Sequence, residues 1–377
     1  MNIQHGYISA TMPDGTRETY RVAGNVQRGF IRVEKDGRYG FLNSKDEVIG
    51  EVKYDELEYF ESHFAMARLG SKWAFIDETG KEICPFIYDE SEPFFEGFAP
   101  VKRNGKWCFL KADGTELFEP RYDKLEFFQN GFAPVLLGKY WGFVNTLGEE
   151  IVKAEYDEVY RFIDEYAQVK LSGKWCYVSN KGKRVGKPIY DSLGIFSEGF
   201  GEVSYGGKKA YINEEGEEIC SFIYEAVEPF RNGYGCVKRN GVWGFINRSG
   251  KEIIECQFEY AWSMLNGFAI FVEGEKYGFV SETVKIIKAQ YDSLKSYKAN
   301  GGYACGLRNQ KWRFIDREGN ELEEEYDEVR ELTSDFVLVR MGTKYGLVNP
   351  MGGQICAPEY DTEKEVEAFV VRLVKAK

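Results

Sequence analysis

Histidine is almost missing from this 377-residue chain, with His5 and His63 the only two. Neither has a companion, so a histidine-based triad or a multi-histidine metal site is not expected. No stretch approaches 18 unbroken apolar residues, the length a membrane-spanning helix needs. The opening MNIQHGYISATMPDG has no basic patch ahead of an apolar run. No secretory signal is read there, and a cytoplasmic location is expected. Basic residues number 49 against 61 acidic ones, a net charge of −12 that repels a phosphate backbone. Nucleic acid is therefore not an expected partner. The eight cysteines contain no Cys-x-x-Cys pair, and the glycines fall at turns rather than ahead of helices. Neither a zinc site nor a phosphate loop follows, and no cofactor is expected. What the chain has in quantity is apolar surface: 43% hydrophobic residues and 16% aromatics, enough for a folded chain.

Those aromatics recur at a fixed interval. One aromatic position returns at Tyr39, Trp73, Trp107, Trp141, Trp175, Tyr277, Trp312 and Tyr345, with Trp243 in step and Lys209 in place of one ring. The steps are 34 residues seven times over, then 35 and 33. Two residues before each marker ends a turn-forming pair, such as Asp36-Gly37, Asn104-Gly105, Gly138-Lys139 or Asn240-Gly241. Nine of the ten pairs contain the glycine that a two-residue hairpin turn needs, which decides for β-hairpins over helical hairpins of similar period. A second, longer turn follows each marker, then a third strand such as KEICPF or EEIVKA, then Tyr-Asp or a close variant. The unit is a three-stranded meander with a connecting loop.

Pairing across Asn104-Gly105 puts Lys102 opposite Trp107 and Val101 opposite Cys108. One face then carries Ala99, Val101, Cys108 and Leu110; the other carries Phe98, Pro100, Trp107 and Phe109. Both faces are apolar, so each unit needs neighbours to cover it. The residue after the marker is Gly, Ala or Cys in nine repeats and Arg313 in the tenth, which predicts a close approach there. The fold expected is all-β: a tandem array of ten three-stranded β-meander repeats of about 34 residues, in an open, twisted, solenoid-like stack. A closed, propeller-like ring is the alternative. Residues 1–28 are expected to cap one end, 29–365 to hold the repeats, and 366–377 to add a half-repeat strand.

RYGFLN, KWCFLK, YWGFVN, VWGFIN and KYGFVS, each preceded by a GFAPV-like strand and followed by Tyr-Asp, resemble WG repeats, also called KWG repeats. The resemblance implies a mostly bacterial all-β repeat family that serves as a binding or scaffold module. Lys209, Arg313 and Phe258-Glu259 depart from its pattern.

The acids that follow each tyrosine, Asp55, Asp89, Asp123, Asp157, Asp191, Asp292, Asp327 and Asp361, come one per repeat. They are expected to bond backbone in the following turn rather than to gather around a cation. Seven of the eight cysteines share repeat registers, Cys256 being the exception, and they read as buried small hydrophobes. The run ELEEEYDEVRE at 321–331 reads as a solvated loop.

Residues that break the pattern without helping the stack are the candidates for recognition. Trp262 and Tyr160 occupy a register that elsewhere holds Glu58, Glu92, Glu126, Glu228, Lys295 or Arg330, and an aromatic there suggests exposure. With Lys209 and Arg313 they are the expected partner-binding residues. The function expected is a non-catalytic binding or scaffold protein that presents its repeats to a protein partner. Carbohydrate or cell-wall binding through exposed aromatics is one alternative, and a glycosidase-like enzyme using two of the acids is another.

Overall fold

The computed structural model describes every residue except 1, 2, 5, 13, 14, 266, 267, 282, 283, 298–302, 317, 318, 376 and 377. His5 and most of the insertion in SYKANGGY lie outside the described residues. The chain forms two compact units, Met1–Arg184 and Val185–Lys377. Each is a series of small antiparallel sheets built from strands consecutive in sequence, and no strand pairing joins one sheet to another among the described residues.

Every central hairpin has the register its turn pair dictates. Phe98–Arg103 and Lys106–Lys111 pair with Lys102 opposite Trp107 and Ala99 opposite Leu110. Both turn residues have positive φ at Asp36-Gly37, Asn104-Gly105, Ser172-Gly173, Gly206-Gly207 and Asn240-Gly241, as a type I′ turn requires. Asn309-Gln310, the pair without glycine, is forced into the same conformation at φ 55° and 63°.

The connecting loop turns out to be a strand in its own right. Glu96-Gly97, Asn130-Gly131, Glu198-Gly199 and Asn232-Gly233 also take positive φ at both residues, so the chain doubles back before the first strand. Short strands such as Glu56–Leu57, Glu90–Ser91 and Lys124–Leu125 thereby pair with the strand that follows them. The third strand is continuous in some repeats, as at Glu150–Tyr156 and Glu252–Phe258. KEICPF was expected to form one and does not: it keeps only the bridges Ile76↔Glu82 and Trp73↔Tyr88, and Pro85 has no N–H to give a ladder.

The residue after the marker goes with that difference. A Cβ on Gly142 would sit 2.4 Å from the Val152 carbonyl oxygen, and one on Gly244 would sit 2.6 Å from that of Ile254. Glycine lets the third strand bulge across the second. Ala74, Cys108, Ala210 and Arg313 carry a side chain there, and their third segments shrink to isolated bridges. Cys176, followed by the continuous strand Arg184–Tyr190, is the exception.

Within each unit the aromatic face of one repeat lies on the small-residue face of the next. Phe109 packs with Ala133, Val135 and Val144 of the following hairpin, and Phe143 with Ala167, Val169 and Cys176. In the second unit Phe245 meets Ala269 and Val280, and Phe314 meets Val337, Val339 and Val348. A phenylalanine from the doubling-back segment fills the joint: Phe128 lies 4.5 Å from the rings of both Phe98 and Phe109. Phe60, Phe94, Phe162 and Phe230 repeat this contact.

Tyr7–Thr11 and Arg17–Gln27 extend the first sheet, and Ile8, Ala10 and Tyr20 cover the small face formed by Ile31, Val33 and Leu42. The expected half-repeat strand at 366–377 is instead the helix Glu363–Lys375. Val366, Phe369, Val370 and Leu373 fall at the i, i+3, i+4, i+7 spacing of a helix. Glu365 caps the start of the helix: its carboxylate accepts from the Asp361 and Thr362 amides, both at 3.0 Å, and its own amide donates to the Thr362 carbonyl at 3.2 Å. The helix buries Val366 and Val370 against Phe336, Leu338 and Leu347, the aromatic-side face of the tenth hairpin.

Val366→Ala should cost roughly 1–3 kcal/mol in denaturant unfolding and speed amide exchange in Phe336–Met341. Val371→Ala on the exposed side of the helix is the control and should stay within about 0.5 kcal/mol. Equal exchange in both variants would mean the helix does not hold that face.

Candidate functional site

The ladder of acids is engaged along its length. Asp123 Oδ2 accepts the Gly138 amide at 2.7 Å, in the hairpin turn of the next repeat. Its other oxygen takes the Lys106 ammonium at 2.5 Å from the hairpin before it. Asp55, Asp89, Asp157, Asp191 and Asp327 hold the amides of Gly70, Gly105, Gly173, Gly206 and Gly342 in the same way, at 2.6–3.3 Å. Glu225 and Glu259 do so where glutamate replaces aspartate. Salt bridges to Lys72, Lys106 and Lys311, then the turn amides, keep Asp89, Asp123 and Asp327 below the ordinary carboxylate range. The carboxylates are spent on joining repeats.

The tyrosine beside each acid makes a second joint. Tyr54, Tyr190, Tyr224 and Tyr291 donate to Glu82, Glu218, Glu252 and Glu321 of the following repeat. Burial, then the Glu82 charge, pushes the Tyr54 hydroxyl up to about 12. Glu321 also receives Arg308 at 2.9 Å and Arg313 at 3.1 Å. The acidic run at 321–331 is thus no solvated loop: its first glutamate ties strands together, and Glu328–Thr333 is itself a strand.

All eight cysteines are free thiols; Cys84, Cys108, Cys176, Cys236 and Cys305 are buried, while Cys220, Cys256 and Cys356 are half-buried. Burial pushes the thiols of Cys84, Cys176 and Cys220 up to about 11, away from the reactive thiolate. His63 stands 78% exposed with Nδ1 3.1 Å from Glu78 Oε1. No cluster of three His, Cys, Asp or Glu side chains fit for a metal ion occurs among the described residues.

The four pattern-breaking residues part company. Lys209 forms an ion pair with Glu202 on the adjacent strand, so a charge pair stands where other repeats have a ring. Arg313 points its guanidinium at Glu321 and Glu325, in space freed by the broken third segment. Both are absorbed within their own repeats. Tyr160, in the first unit, is 57% exposed and stacks on Trp175 with ring centres 5.3 Å apart.

Trp262, in the second unit, is 51% exposed and stands at the mouth of a cavity of about 410 Å³. Leu265, Phe268, Ile270, Tyr277 and Leu294 line it, with Ser263 and Ser293. Tyr260 and Leu265, 62% and 49% exposed, extend the apolar surface. Tyr260 breaks the pattern too and is not among the residues expected from the sequence: its register elsewhere holds Glu56, Glu90, Lys124 or Glu158.

The family model described as WG containing repeat matches residues 39–73, 73–107, 109–141, 141–175, 177–208, 210–243, 243–277 and 312–345. This chain belongs to the WG repeat family. No curated protein matches it. Among solved structures, the chain is similar to a crystal structure of the eukaryotic initiation factor, 11% identical over 80% of this chain and 97% of that one, with a TM-score of 0.32. It is similar also to Kluyvelomyces marxianus Hsv2, 11% identical over 59% of this chain and 91% of that one, with a TM-score of 0.29. The dihydro-heme d1 dehydrogenase NirN is 12% identical over 92% of this chain and 80% of that one, with a TM-score of 0.26. Likenesses this distant carry no argument about function.

Two consequences of this WG repeat chemistry are measurable. A carboxyl held low lends stability that is fully present above its unfolded value of about 3.9 and is lost as pH falls through the folded value. The melting temperature of Asp123→Asn should therefore lie below wild type at pH 7, and the gap should close as pH drops through about 4 to 3. A gap constant with pH would show that Asp123 acts without its charge. In native protein, iodoacetamide at pH 8 should leave the five buried cysteines unmodified, and unfolding should expose all eight. Rapid native labelling of Cys84 or Cys108 would contradict the burial described.

Proposed function

We propose that this WG repeat chain is a non-catalytic binding protein that holds a protein partner against its repeat surface, with the contact centred on Trp262. The observation that carries the reading is the exposed apolar patch of Tyr260, Trp262 and Leu265 around a roofless apolar cavity. Large exposed aromatics grouped beside a cavity are what interface hot spots are made of. The non-catalytic part rests on how the reactive groups are used. The ladder carboxylates bind turn amides, and burial keeps thiols protonated. The reading takes the cytoplasm as the setting, with no cofactor and no nucleic acid involved.

One observation favours a second reading, carbohydrate binding. Tyr160 lies parallel to Trp175 and leaves its outer ring face to solvent, the kind of surface a sugar ring covers.

A photo-crosslinking residue placed at position 262 should join the chain to one or a few discrete host proteins, and Leu265→Asp should abolish the adduct. The same protein can be passed over immobilised polysaccharides. Retention there that Tyr160→Ala removes, with no adduct from position 262, would replace the first reading by the second.

A further inference from the structure

Six asparagines in this chain are followed by glycine, and four of the pairs lie among the described residues: Asn104-Gly105, Asn130-Gly131, Asn232-Gly233 and Asn240-Gly241. Each forms the corner of a hairpin turn, and their backbones are nearly the same, with φ of 50–54° at the asparagines and 79–84° at the glycines. Such a pair is open to an internal reaction, because glycine has no Cβ to shield its nitrogen from the asparagine side chain. The deprotonated glycine nitrogen attacks the asparagine Cγ, and the new N–Cγ bond closes a five-membered imide. The Cγ–Nδ2 bond breaks, and the nitrogen leaves as ammonia, taking up a proton in place of the one the amide lost. Water then opens the imide at either carbonyl, which leaves aspartate or isoaspartate.

The nucleophile is therefore an amide that must give up its proton, and three of the four glycine amides have it bonded to a carboxylate. Gly233 donates to Glu198 at 2.8 Å, and the Asn232 amide donates to the same side chain at 2.7 Å. Gly241 and Asn240 both donate to Glu225 at 3.1 Å. Gly105 donates to Asp89 at the longer distance of 3.3 Å. A carboxylate in that place holds the proton and repels the negative charge that the nitrogen, and then the tetrahedral intermediate, has to carry.

Gly131 differs. Its amide has no hydrogen-bond partner among the described residues, and Asn130 is exposed. Glu96 stands 34 residues before Asn130, as Glu198 stands 34 before Asn232, yet no bond joins Glu96 to either turn amide among the described residues. Arg248, which pairs with Glu198 at 3.6 Å, has Thr146 as its counterpart, so the cation that helps to hold Glu198 has no equivalent in that register. The Asn130 side chain is tied through Nδ2 to the Phe162 carbonyl at 3.4 Å, near the limit of a hydrogen bond.

We infer that Asn130 is a site of spontaneous modification, where the folded chain converts itself to aspartate and isoaspartate, while Glu198, Glu225 and Asp89 preserve the other three turns as asparagine. Two acids of the ladder thereby protect the turns they position. Either product removes the donor to the Phe162 carbonyl and adds a negative charge, and isoaspartate also lengthens the main chain by one methylene. The modification thus takes away a contact between two successive doubling-back segments of the first unit.

Peptide mass spectrometry on the full chain, kept folded at pH 8 and sampled over time, tests this. Each conversion replaces NH2 by OH, a resolvable gain in mass, and isoaspartate separates from aspartate by retention. Asn130 should convert at least about fivefold faster than Asn232 and Asn240, with Asn104 between them. In urea the four rates should converge to within about twofold, since the protecting carboxylates are gone. Glu198→Ala, with its fold confirmed by circular dichroism, should bring Asn232 to within about twofold of Asn130 and leave Asn240 unchanged. Equal rates in the folded chain, or no conversion of Asn130 while unfolded pairs react, would overturn the inference. A lead for Asn130 that persists in urea would trace it to the flanking residues and overturn the part played by the free amide. An Asn232 rate that Glu198→Ala does not move would overturn the protection by carboxylates.

Discussion

A hairpin with apolar side chains on both faces cannot be covered by its own chain, and that constraint organises everything else in this protein. Each repeat solves it asymmetrically. One face carries rings such as Phe98, Trp107 and Phe109, and the other carries Ala99, Val101 and Cys108, all three fully buried. Rings against small residues bring consecutive sheets close without overlap, and the extra phenylalanine at each joint, Phe128 for instance, fills what the hairpin leaves open. Two like faces could not pack so: rings against rings would hold the sheets apart, and small against small would leave voids. The direction of stacking is thus written into each unit, and it explains why the first and tenth hairpins need different covers. The first offers a small face, which the strands Tyr7–Thr11 and Arg17–Gln27 roll over; the tenth offers a bulky face, against which the helix sets the narrow edge of Val366 and Val370.

Stacking of this kind is non-directional, and greasy faces alone would let sheets slide. The polar joints fix the register. Asp55, Asp89, Asp123 and Asp327 each reach back to a lysine or arginine and forward to a turn amide, so one side chain measures the distance between two hairpin tips. Tyr54, Tyr190, Tyr224 and Tyr291 do the same on the buried side with a glutamate of the next third segment. These bonds are individually modest. Their effect is to penalise every offset but one, and a constant offset requires a constant repeat length. The step of 34 residues is the sequence trace of that requirement.

How much of this the sequence shows depends on whether the deciding contact is local. Turn pairs are local, so the hairpins, their registers and their two faces are legible from Asn104-Gly105 and its counterparts. Glu96-Gly97 and Asn130-Gly131 carry the same local message about a fourth strand. The terminal helix is less legible. FVVRLV has the composition of a strand, and only the spacing of Val366, Phe369, Val370 and Leu373, with Thr362 and Glu365 ahead of them, distinguishes it. The close approach behind Gly142 was foreseen, but the object that approaches, a bulge in the third strand, is a tertiary fact.

The same division decides what an irregular residue means. Lys209 and Arg313 break the pattern as visibly as Trp262, yet each is answered by an acid in its own repeat, Glu202 for one and Glu321 with Glu325 for the other. An exception matched by a compensating change nearby restores the packing and the charge balance, and nothing is left over for a partner. At Tyr260 and Val272 the acid and the base that other repeats pair, such as Glu90 with Lys102, are both gone, so charge is balanced, but Tyr260 is left exposed and Val272 half-buried. Full burial is what the Tyr260 ring lacks. A repeat protein satisfies its regular positions internally, so surface left unsatisfied after the local compensations are counted is where outside contacts belong. By that test the Trp262 patch stands apart from the other irregularities.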